Sequence, residues 1–339
     1  MNRKNFLSSL FIASAAIPIP LVASAAEEED KPIIIPTYLK YGDTIGITCP
    51  AGNITEKEIQ SAIQQMENWG FKTRIGNTVG KKDFIFGGTD QERIMDFQDM
   101  IDDNSIRAIM CARGGYGAIR IIDSIDFAKF ASAPKWIIGF SDITLLLGHI
   151  FMQLNIASIH SKMCNSFPDD WSKAEVAQID SIVSIKQILT GEKMKYAAKP
   201  NRNNVSGIAQ GPLIGGNLAT IESMQGSKSE LSTIGKILFL EDTGEYLYSV
   251  DRMFWNLKRS GKLSRLKGLI IGDFKVKPDD AGEEFGQTVY EIVLDKVREF
   301  GYPVCFDFPV GHQKENYGLK YGITHKLNVN DNGCDLAEI

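Results

Sequence analysis

Alternating strand and helix signals in the first half of the chain constrain its fold more than any other feature. Apolar, β-branched runs at Thr44–Thr48, Ile106–Cys111 and 135–140 have the composition of buried strands. Two capping-box sequences, at 55–58 and 89–92, each open a segment with apolar residues at helical spacing. This order predicts an α/β fold whose N-terminal domain is a Rossmann-like parallel sheet with helices on both faces.

A polar stretch at 166–205 interrupts this rhythm and predicts a linker that contains some helix. Strand and helix signals then resume near Gly207. The chain has 339 residues, a length that suggests about two domains. We therefore predict an N-terminal domain over 31–165, the linker over 166–205 and a C-terminal domain over 206–339.

The N-terminus predicts an export signal over residues 1–26. Arg3 and Lys4 precede an apolar stretch that runs to Val22, and small residues at 23–26 provide a cleavage site. The alternative is a retained membrane anchor. The stretch is short and contains two prolines, which favours cleavage. We therefore expect an exported, periplasmic protein without stable membrane insertion, because no later segment has 18 consecutive apolar residues.

Charge, cysteine and histidine usage exclude several functions. The net charge of −5 argues against nucleic-acid binding, which depends on many Lys and Arg residues. The five cysteines are odd in number and contain no CxxC pair, so they indicate neither a disulfide framework nor a thiolate metal site. The four histidines have no metal-ligand spacing. We therefore predict no metal and no cofactor.

Two loops at predicted strand ends are candidates for the site, because ligands bind at the carboxyl edge of parallel sheets. One is RGGYG at 113–117, and the other is GFSD at 139–142. Ser141 lies where a strand turns into a helix, next to amides that can stabilise an oxyanion. The alternatives are a tight turn for RGGYG and a helix N-cap for Ser141. The second motif also lacks the final glycine of GxSxG, since Ile143 takes that position.

A serine nucleophile needs a base, and His312 lies in a loop after a predicted strand. His149 lies on an apolar helix and His325 in an alternating strand, so structural roles are favoured for both, while the role of His160 stays open. Glu241 ends a predicted apolar strand at 236–240, where a carboxylate needs a partner. Orientation of a histidine and a salt bridge with Arg252 are the two alternatives.

Taken together, these segments resemble the LD-carboxypeptidase family, which includes muramoyltetrapeptide carboxypeptidases and microcin-immunity peptidases. The resemblance covers nearly all of residues 36–325. The segments that carry it are GDTIGITCPAG (42–52), CARGGYGAIRIID (111–123), IIGFSDIT (137–144), PLIGGNLATI (212–221), LFLEDTGEYLYSVDRMFWNLKRSG (238–261) and PVGHQKENYGLKYG (309–322).

The resemblance implies a Ser-Glu-His triad of Ser141, Glu241 and His312. It implies oxyanion donors in the backbone amides around Gly115 and of Asp142. It also implies a Rossmann-like N-terminal domain joined to a C-terminal α/β domain, with the active site between them, a homodimer and no metal.

Two departures from the family pattern lie near the expected cleft. Gln313 stands where the family has a small residue after the histidine. His160-Ser161-Lys162-Met163 stands where the family has HGP or HGPM. Both positions bear on the fine substrate specificity more than on the type of reaction.

We therefore predict an exported serine carboxypeptidase that removes a terminal D-alanine from peptidoglycan stem peptides. Arg113 is the candidate for binding the substrate carboxylate, since a guanidinium holds a carboxylate with two hydrogen bonds. A salt bridge within the first domain is its alternative. Gly114 and Tyr116 would line the same subsite. The alternative functions are a peptidase that detoxifies a peptide–nucleotide antibiotic and a non-catalytic periplasmic solute-binding protein.

Overall fold

The computed structural model describes residues 32–339, so the export signal predicted at 1–26 lies outside the described residues. The strands in this part are β1 (Thr44–Thr48), β2 (Lys72–Ile75), β3 (Ile106–Cys111), β4 (Trp136–Gly139), β5 (Ser158–His160), β6 (Lys195–Ala198), β7 (Gly207–Asn217), β8 (Ile237–Thr243), β9 (Gly268–Lys275), β10 (Val304–Cys305), β11 (Leu319–Tyr321), β12 (Thr324–Asn330) and β13 (Gly333–Glu338). The α-helices are α1 (Gln60–Asn68), α2 (Asp90–Asp102), α3 (Ala118–Ile121), α4 (Ala128–Ser132), α5 (Thr144–Leu154), α6 (Val176–Leu189), α7 (Leu218–Ser223), α8 (Leu247–Arg259) and α9 (Val289–Val297).

The first sheet confirms the predicted parallel α/β architecture. Its strand order is β11-β5-β4-β3-β1-β2, and β1 to β5 all run parallel. The chain order reverses between β1 and β3, which places a crevice at the carboxyl ends of these strands. The strand β11 comes from the C-terminal half and pairs antiparallel with β5, so this sheet contains one strand from beyond the first half.

The second sheet has the order β10-β9-β8-β7-β12-β13-β6. Its strands β7 to β10 are parallel, and β12, β13 and β6 add an antiparallel extension. Helices α7, α8 and α9 connect the parallel strands, as the alternating signals of the second half predict. The stretch 166–205, predicted as a linker with some helix, contains α6 and β6.

Local sequence signals account for most of these boundaries. Thr89 and Glu92 exchange the reciprocal bonds of a capping box at the start of α2. Thr55 and Glu58 do the same at a 3₁₀ turn that contains Glu58 and leads directly into α1. One strand extends beyond its predicted range of 236–240. The strand β8 continues to Thr243 through an irregularity after Leu240, and β10 is only two residues long.

Helix α5 is the central packing element. Every residue from Thr144 to Phe151 is buried, so the helix is covered on all sides. One hydrophobic cluster includes residues of both sheets, such as Ile109 of β3 and Phe239 of β8, together with Leu146 of α5. The Thr144 hydroxyl also accepts a hydrogen bond from the amide of Asn217, at the end of β7, at 3.1 Å. No helix of residues 32–339 is long and apolar enough to span a bilayer.

Candidate active site

The carboxyl edges of the two sheets meet at a cleft of about 680 Å³. Loops after β3 and β4 supply one wall, and residues from the ends of β7 and β8 supply the other. The loop after β10 adds His312. Both loops predicted from the sequence, 113–117 and 139–142, therefore lie at this cleft.

Ser141 occupies a strained turn between β4 and α5. Its φ angle is 62°, in the left-handed region that non-glycine residues seldom adopt. Such strain persists where surrounding structure enforces it, and it clusters at functional sites. The residue that precedes the first helical turn is Phe140, and Ser141 makes no capping bond. The N-cap alternative for Ser141 is therefore wrong.

Glu241, His312 and Ser141 form a continuous chain of hydrogen bonds. His312 Nδ1 lies 2.7 Å from Glu241 Oε2, and His312 Nε2 lies 3.1 Å from Ser141 Oγ. Glu241 is fully buried inside β8, while the His312 side chain keeps 21% of its surface exposed. This arrangement lets the imidazole accept the serine proton while the carboxylate fixes its tautomer.

The loop that carries His312 approaches β8 closely at Gly311. A side chain there would lie 2.8 Å from the Glu241 Cβ, and the φ angle of Gly311 is +116°, so only glycine fits without strain. The Gly311 amide donates to Asn316 Oδ1 at 3.0 Å, and the carbonyl of His312 accepts a bond from the Lys275 ammonium. The imidazole packs on Phe140, with ring centroids 4.9 Å apart.

The glycine-rich loop lies directly above the serine. A side chain at Gly114 would approach the Ser141 Cβ to 3.0 Å, so the loop backbone can come this close only without one. The amide of Gly52 donates to the Gly114 carbonyl at 2.8 Å, and the buried Arg93 donates to the Gly117 carbonyl at 2.8 Å. Among residues 32–339 the amide of Gly115 has no hydrogen-bond partner, so it is available to a bound group.

Two buried aspartates each follow a member of the hydrogen-bonded chain. Asp142 accepts a bond from the Ala118 amide at 2.8 Å, and Asp242 accepts one from the Ala219 amide at 2.8 Å. Burial raises the pKa of Asp142 to about 6, against the lowering effect of the amides of Ala118 and Gly117. Burial likewise raises the pKa of Asp242 to about 6, and neighbouring Glu241 adds to the rise.

The predicted substrate-binding residues all line the cleft. Arg113 is exposed, and its Nη1 donates to the Asn53 carbonyl at 3.1 Å. It takes part in no salt bridge within the described residues, so the salt-bridge alternative finds no partner there. Tyr116 is about half exposed and packs its ring against Phe86. Gly114 lies between these two residues and Ser141.

The other three histidines lie outside the hydrogen-bonded chain. His149 bonds Ser229 through Nδ1 at 2.8 Å, and His325 bonds the Ile323 carbonyl at 2.8 Å, so both are satisfied core residues. His160 is fully buried between Phe140 and Phe239, and its burial lowers its pKa to about 3.

The alternative partner proposed for Glu241 lies elsewhere. Arg252 stacks on the Tyr248 ring at 5.2 Å, and no ion pair within residues 32–339 joins it to Glu241.

The five cysteines are buried free thiols. The described part of the chain contains no group of three or more His, Cys, Asp or Glu side chains arranged to hold a metal ion.

Comparison with known proteins places this geometry in a family. Residues 45–161 match the LD-carboxypeptidase N-terminal domain, and residues 210–327 match the LD-carboxypeptidase C-terminal domain. The chain is 30% identical over 296 residues to the "Probable murein peptide carboxypeptidase" of Bacillus subtilis, covering 87% of this chain and 91% of that protein.

The chain belongs to the LD-carboxypeptidase family. As a member of this family, the protein is a hydrolase, a serine-type LD-carboxypeptidase. It is also 25% identical over 328 residues to the microcin C7 self-immunity protein MccF of Escherichia coli, covering 88% of this chain and 94% of that protein. The solved muramoyltetrapeptide carboxypeptidase of Oxalobacter formigenes superposes with a TM-score of 0.76 and 26% identity, over 87% of this chain and 98% of that one.

Several residues of this LD-carboxypeptidase site have no clear signal in the sequence. Asn217, Asp242 and Glu245 line the wall opposite Ser141. Asn217 is the last residue of β7 and caps α7, and its place in the GGN segment does not by itself distinguish a site residue from a helix cap. The roles of Lys275 and Asn316 depend on contacts between distant segments, which no local pattern reveals.

We expect Asp142→Asn to change how the stability of this LD-carboxypeptidase depends on pH. Because burial raises the pKa of Asp142 to about 6, the folded state keeps its proton where the unfolded state has lost it. This stabilisation is complete below the unfolded pKa of about 4 and is lost as the pH rises through about 6. Relative to the variant, the natural protein should lose about 3 kcal/mol of unfolding free energy between about pH 4 and pH 7.

Urea denaturation of both proteins across this pH range measures the difference. Asp169→Asn is the matched control, because that carboxylate is exposed, and its difference from the natural protein should stay constant. A constant difference for Asp142→Asn as well would show that the Asp142 carboxylate is not held in a desolvated site.

Proposed function

We propose that this protein is a serine carboxypeptidase that hydrolyses the L,D-peptide bond before a terminal D-alanine in peptidoglycan stem peptides, converting a tetrapeptide to a tripeptide. The observation that carries the proposal is the unbroken Glu241–His312–Ser141 hydrogen-bond chain at the cleft. The "Probable murein peptide carboxypeptidase" of B. subtilis and the muramoyltetrapeptide carboxypeptidase of O. formigenes, both relatives of this chain, support the substrate class.

In the proposed mechanism His312 Nε2 takes the Ser141 proton as Oγ attacks the carbonyl carbon of the scissile bond. Glu241 holds the imidazole through Nδ1 and stabilises its cationic form. The carbonyl oxygen becomes an oxyanion, which the amides of Gly115 and Asp142 stabilise. His312 then gives its proton to the leaving D-alanine amine, and water, activated by the same imidazole, releases the tripeptide from Ser141.

Arg113 provides a cation for the free carboxylate of the terminal residue. Its side chain is exposed at the rim of the cleft and lies in the loop that also contains Gly114 and Gly115. A bidentate guanidinium–carboxylate pair at this rim would select substrates with a free C-terminus. Tyr116 and Gly114 complete this wall of the subsite.

We expect release of D-alanine from a tetrapeptide with a free C-terminus, and none from the same peptide with an amidated C-terminus. EDTA should leave the rate unchanged, because Ser141 supplies the nucleophile. Mass spectrometry of the four reactions, with and without EDTA, measures the outcome, and Ser141→Ala is the inactive control. Equal cleavage of the amidated peptide would reject the carboxypeptidase activity, and loss of activity in EDTA would reject the serine mechanism.

We expect Glu241→Gln to lower kcat by about 10⁴-fold while the fold is kept, because a neutral amide neither stabilises the imidazolium nor enforces the tautomer. Steady-state kinetics and circular dichroism measure these two properties. Glu222→Gln is the matched control, a carboxylate outside the cleft that bonds Asn256. A kcat close to that of the natural protein would mean that Glu241 is structural.

The relative MccF motivates the second candidate function, hydrolysis of a peptide–nucleotide antibiotic. Comparing kcat/KM for a tetrapeptide and for a peptide–nucleotide substrate discriminates the two. A non-catalytic solute-binding role is a third possibility of a different class. In that case Ser141→Ala would keep ligand affinity, and the natural protein would show no turnover.

We also propose that residues 1–26 direct export to the periplasm and are then removed, and that the mature protein is a homodimer. The basic start of the N-terminus, followed by an apolar stretch and then small residues, supports the first proposal. The family resemblance supports the second. N-terminal sequencing of protein recovered from the periplasm should begin at Glu27, and sedimentation should give twice the monomer mass. Recovery with residue 1 intact, or a monomer at micromolar concentration, would contradict the corresponding proposal.

A further inference from the structure

The two departures from the family pattern contact each other. The ammonium of Lys162 donates a hydrogen bond to the backbone carbonyl of Gln313 at 2.9 Å. Gln313 is the residue directly after His312. Its own side-chain amide donates to the carbonyls of Phe308 at 3.2 Å and Val310 at 3.4 Å. The residues that differ from the pattern therefore act on one feature, the conformation of the loop that carries the imidazole.

Lys162 is buried without a carboxylate partner. Only 7% of its surface is exposed, and no acidic group within residues 32–339 lies within ion-pair distance of it. Burial, with a smaller contribution from the nearby Lys275 ammonium, lowers the pKa of Lys162 to about 8. A buried ammonium of this kind opposes folding. Space-filling alone would be better served by an apolar side chain, so the hydrogen bond to the loop is the feature that explains a lysine here.

The His312 loop is held from both sheets. Lys162 follows β5, two residues after that strand of the first sheet ends, and binds the carbonyl of Gln313. Lys275 is the last residue of β9 in the second sheet, and its ammonium binds the carbonyl of His312 itself. Two consecutive carbonyls are thus fixed by two lysines from different sheets. Lys162 ties the backbone of this loop to the first sheet, in addition to the contacts that the imidazole itself makes with Ser141 and Phe140.

We propose that Lys162 is a positioning residue that sets the separation of His312 Nε2 and Ser141 Oγ by fastening the His312 loop to the first sheet. This inference rests on the proposed role of Ser141 and His312. Without this bond the loop would remain attached through Lys275 and through the amide of Asn316, which donates to Ser181 of α6, so the protein would still fold. The distance between His312 Nε2 and Ser141 Oγ would then no longer be fixed. The chemical step would slow while substrate binding stayed intact.

The test is Lys162→Met, which keeps an unbranched side chain of similar length but removes the donor and the charge. We expect kcat for the tetrapeptide to fall by about 10- to 100-fold, because a misplacement near 1 Å can cost this much, with KM changed less than about two-fold. The rate of Ser141 labelling by a fluorophosphonate should fall by a similar factor. The thermal midpoint should not fall, since an unpaired buried charge is removed.

Labelling separates this inference from the proposed function. Labelling of the natural protein that is absent in Ser141→Ala tests for the activated serine, whichever peptide is the substrate. Lys314→Met is the matched control, a lysine on the same loop whose ion pair with Glu175 is exposed, and it should be labelled at the natural rate. Lys162→Arg keeps a donor and a charge, so it should recover most of the labelling rate, and it provides the test if Lys162→Met does not fold.

Three results would overturn the inference. One is a labelling rate and kcat for Lys162→Met equal to those of the natural protein. Another is a raised KM with unchanged kcat, which would make Lys162 a specificity residue. The last is an activity loss matched by a fall in the thermal midpoint and not recovered in Lys162→Arg, which would make its role structural.

Discussion

The burial of helix α5 between the two sheets is the interaction on which the site depends. The helix begins three residues after Ser141, and its first eight residues are buried. Since it packs on both sheets within one hydrophobic cluster, the sheets cannot separate without exposing a large apolar surface. The serine at one end of this helix is therefore held at a fixed distance from Glu241, which lies on a strand of the other sheet.

In both sheets a buried aspartate directly follows a residue of the hydrogen-bonded chain and accepts a hydrogen bond from the start of a helix. In the first, Asp142 follows Ser141 and accepts the amide of Ala118, where the helix after the neighbouring strand begins. In the second, Asp242 follows Glu241 and accepts the amide of Ala219 in the equivalent position. Each buried carboxylate ties a functional strand end to the adjacent helix start. The rigidity of both walls thus comes from groups that are costly to bury, which is tolerable because the surrounding core is large.

Most of the fold follows from local patterns in the sequence. The strands β1, β3 and β4 and the capped helix α2 are predicted correctly, because buried parallel strands are continuous apolar runs and capping boxes are local signals. The features that the sequence does not predict involve segments that lie far apart in the chain. The pairing of β11 with β5 depends on a return of the chain that no periodicity records. Likewise, β8 runs past Glu241 only because β9 continues alongside it.

The active site also combines residues that local sequence patterns predict with features that depend on distant segments. Ser141, Glu241 and His312 are found as candidates because each follows or ends an apolar strand, and the structure brings them together. The left-handed conformation of Ser141 is not visible in the sequence, since GFSDI lacks the second glycine of the usual elbow. Ile143 occupies the space that a side chain at Gly139 would need, so the glycine of the motif serves packing. The sequence marks Lys162 only as a departure from the family pattern, because its partner is a backbone carbonyl far along the chain.

The pairing of β11 with β5 also determines when the first sheet can be completed during synthesis. Strand β11 lies beyond His312 in the sequence, yet it covers the edge of the sheet that carries the serine. While the chain is being made, that edge stays open until residues 319–321 emerge, shortly after His312. A chain that stops before His312 therefore carries the nucleophile without its base, and the edge of the serine's sheet is covered only after β11 has been added.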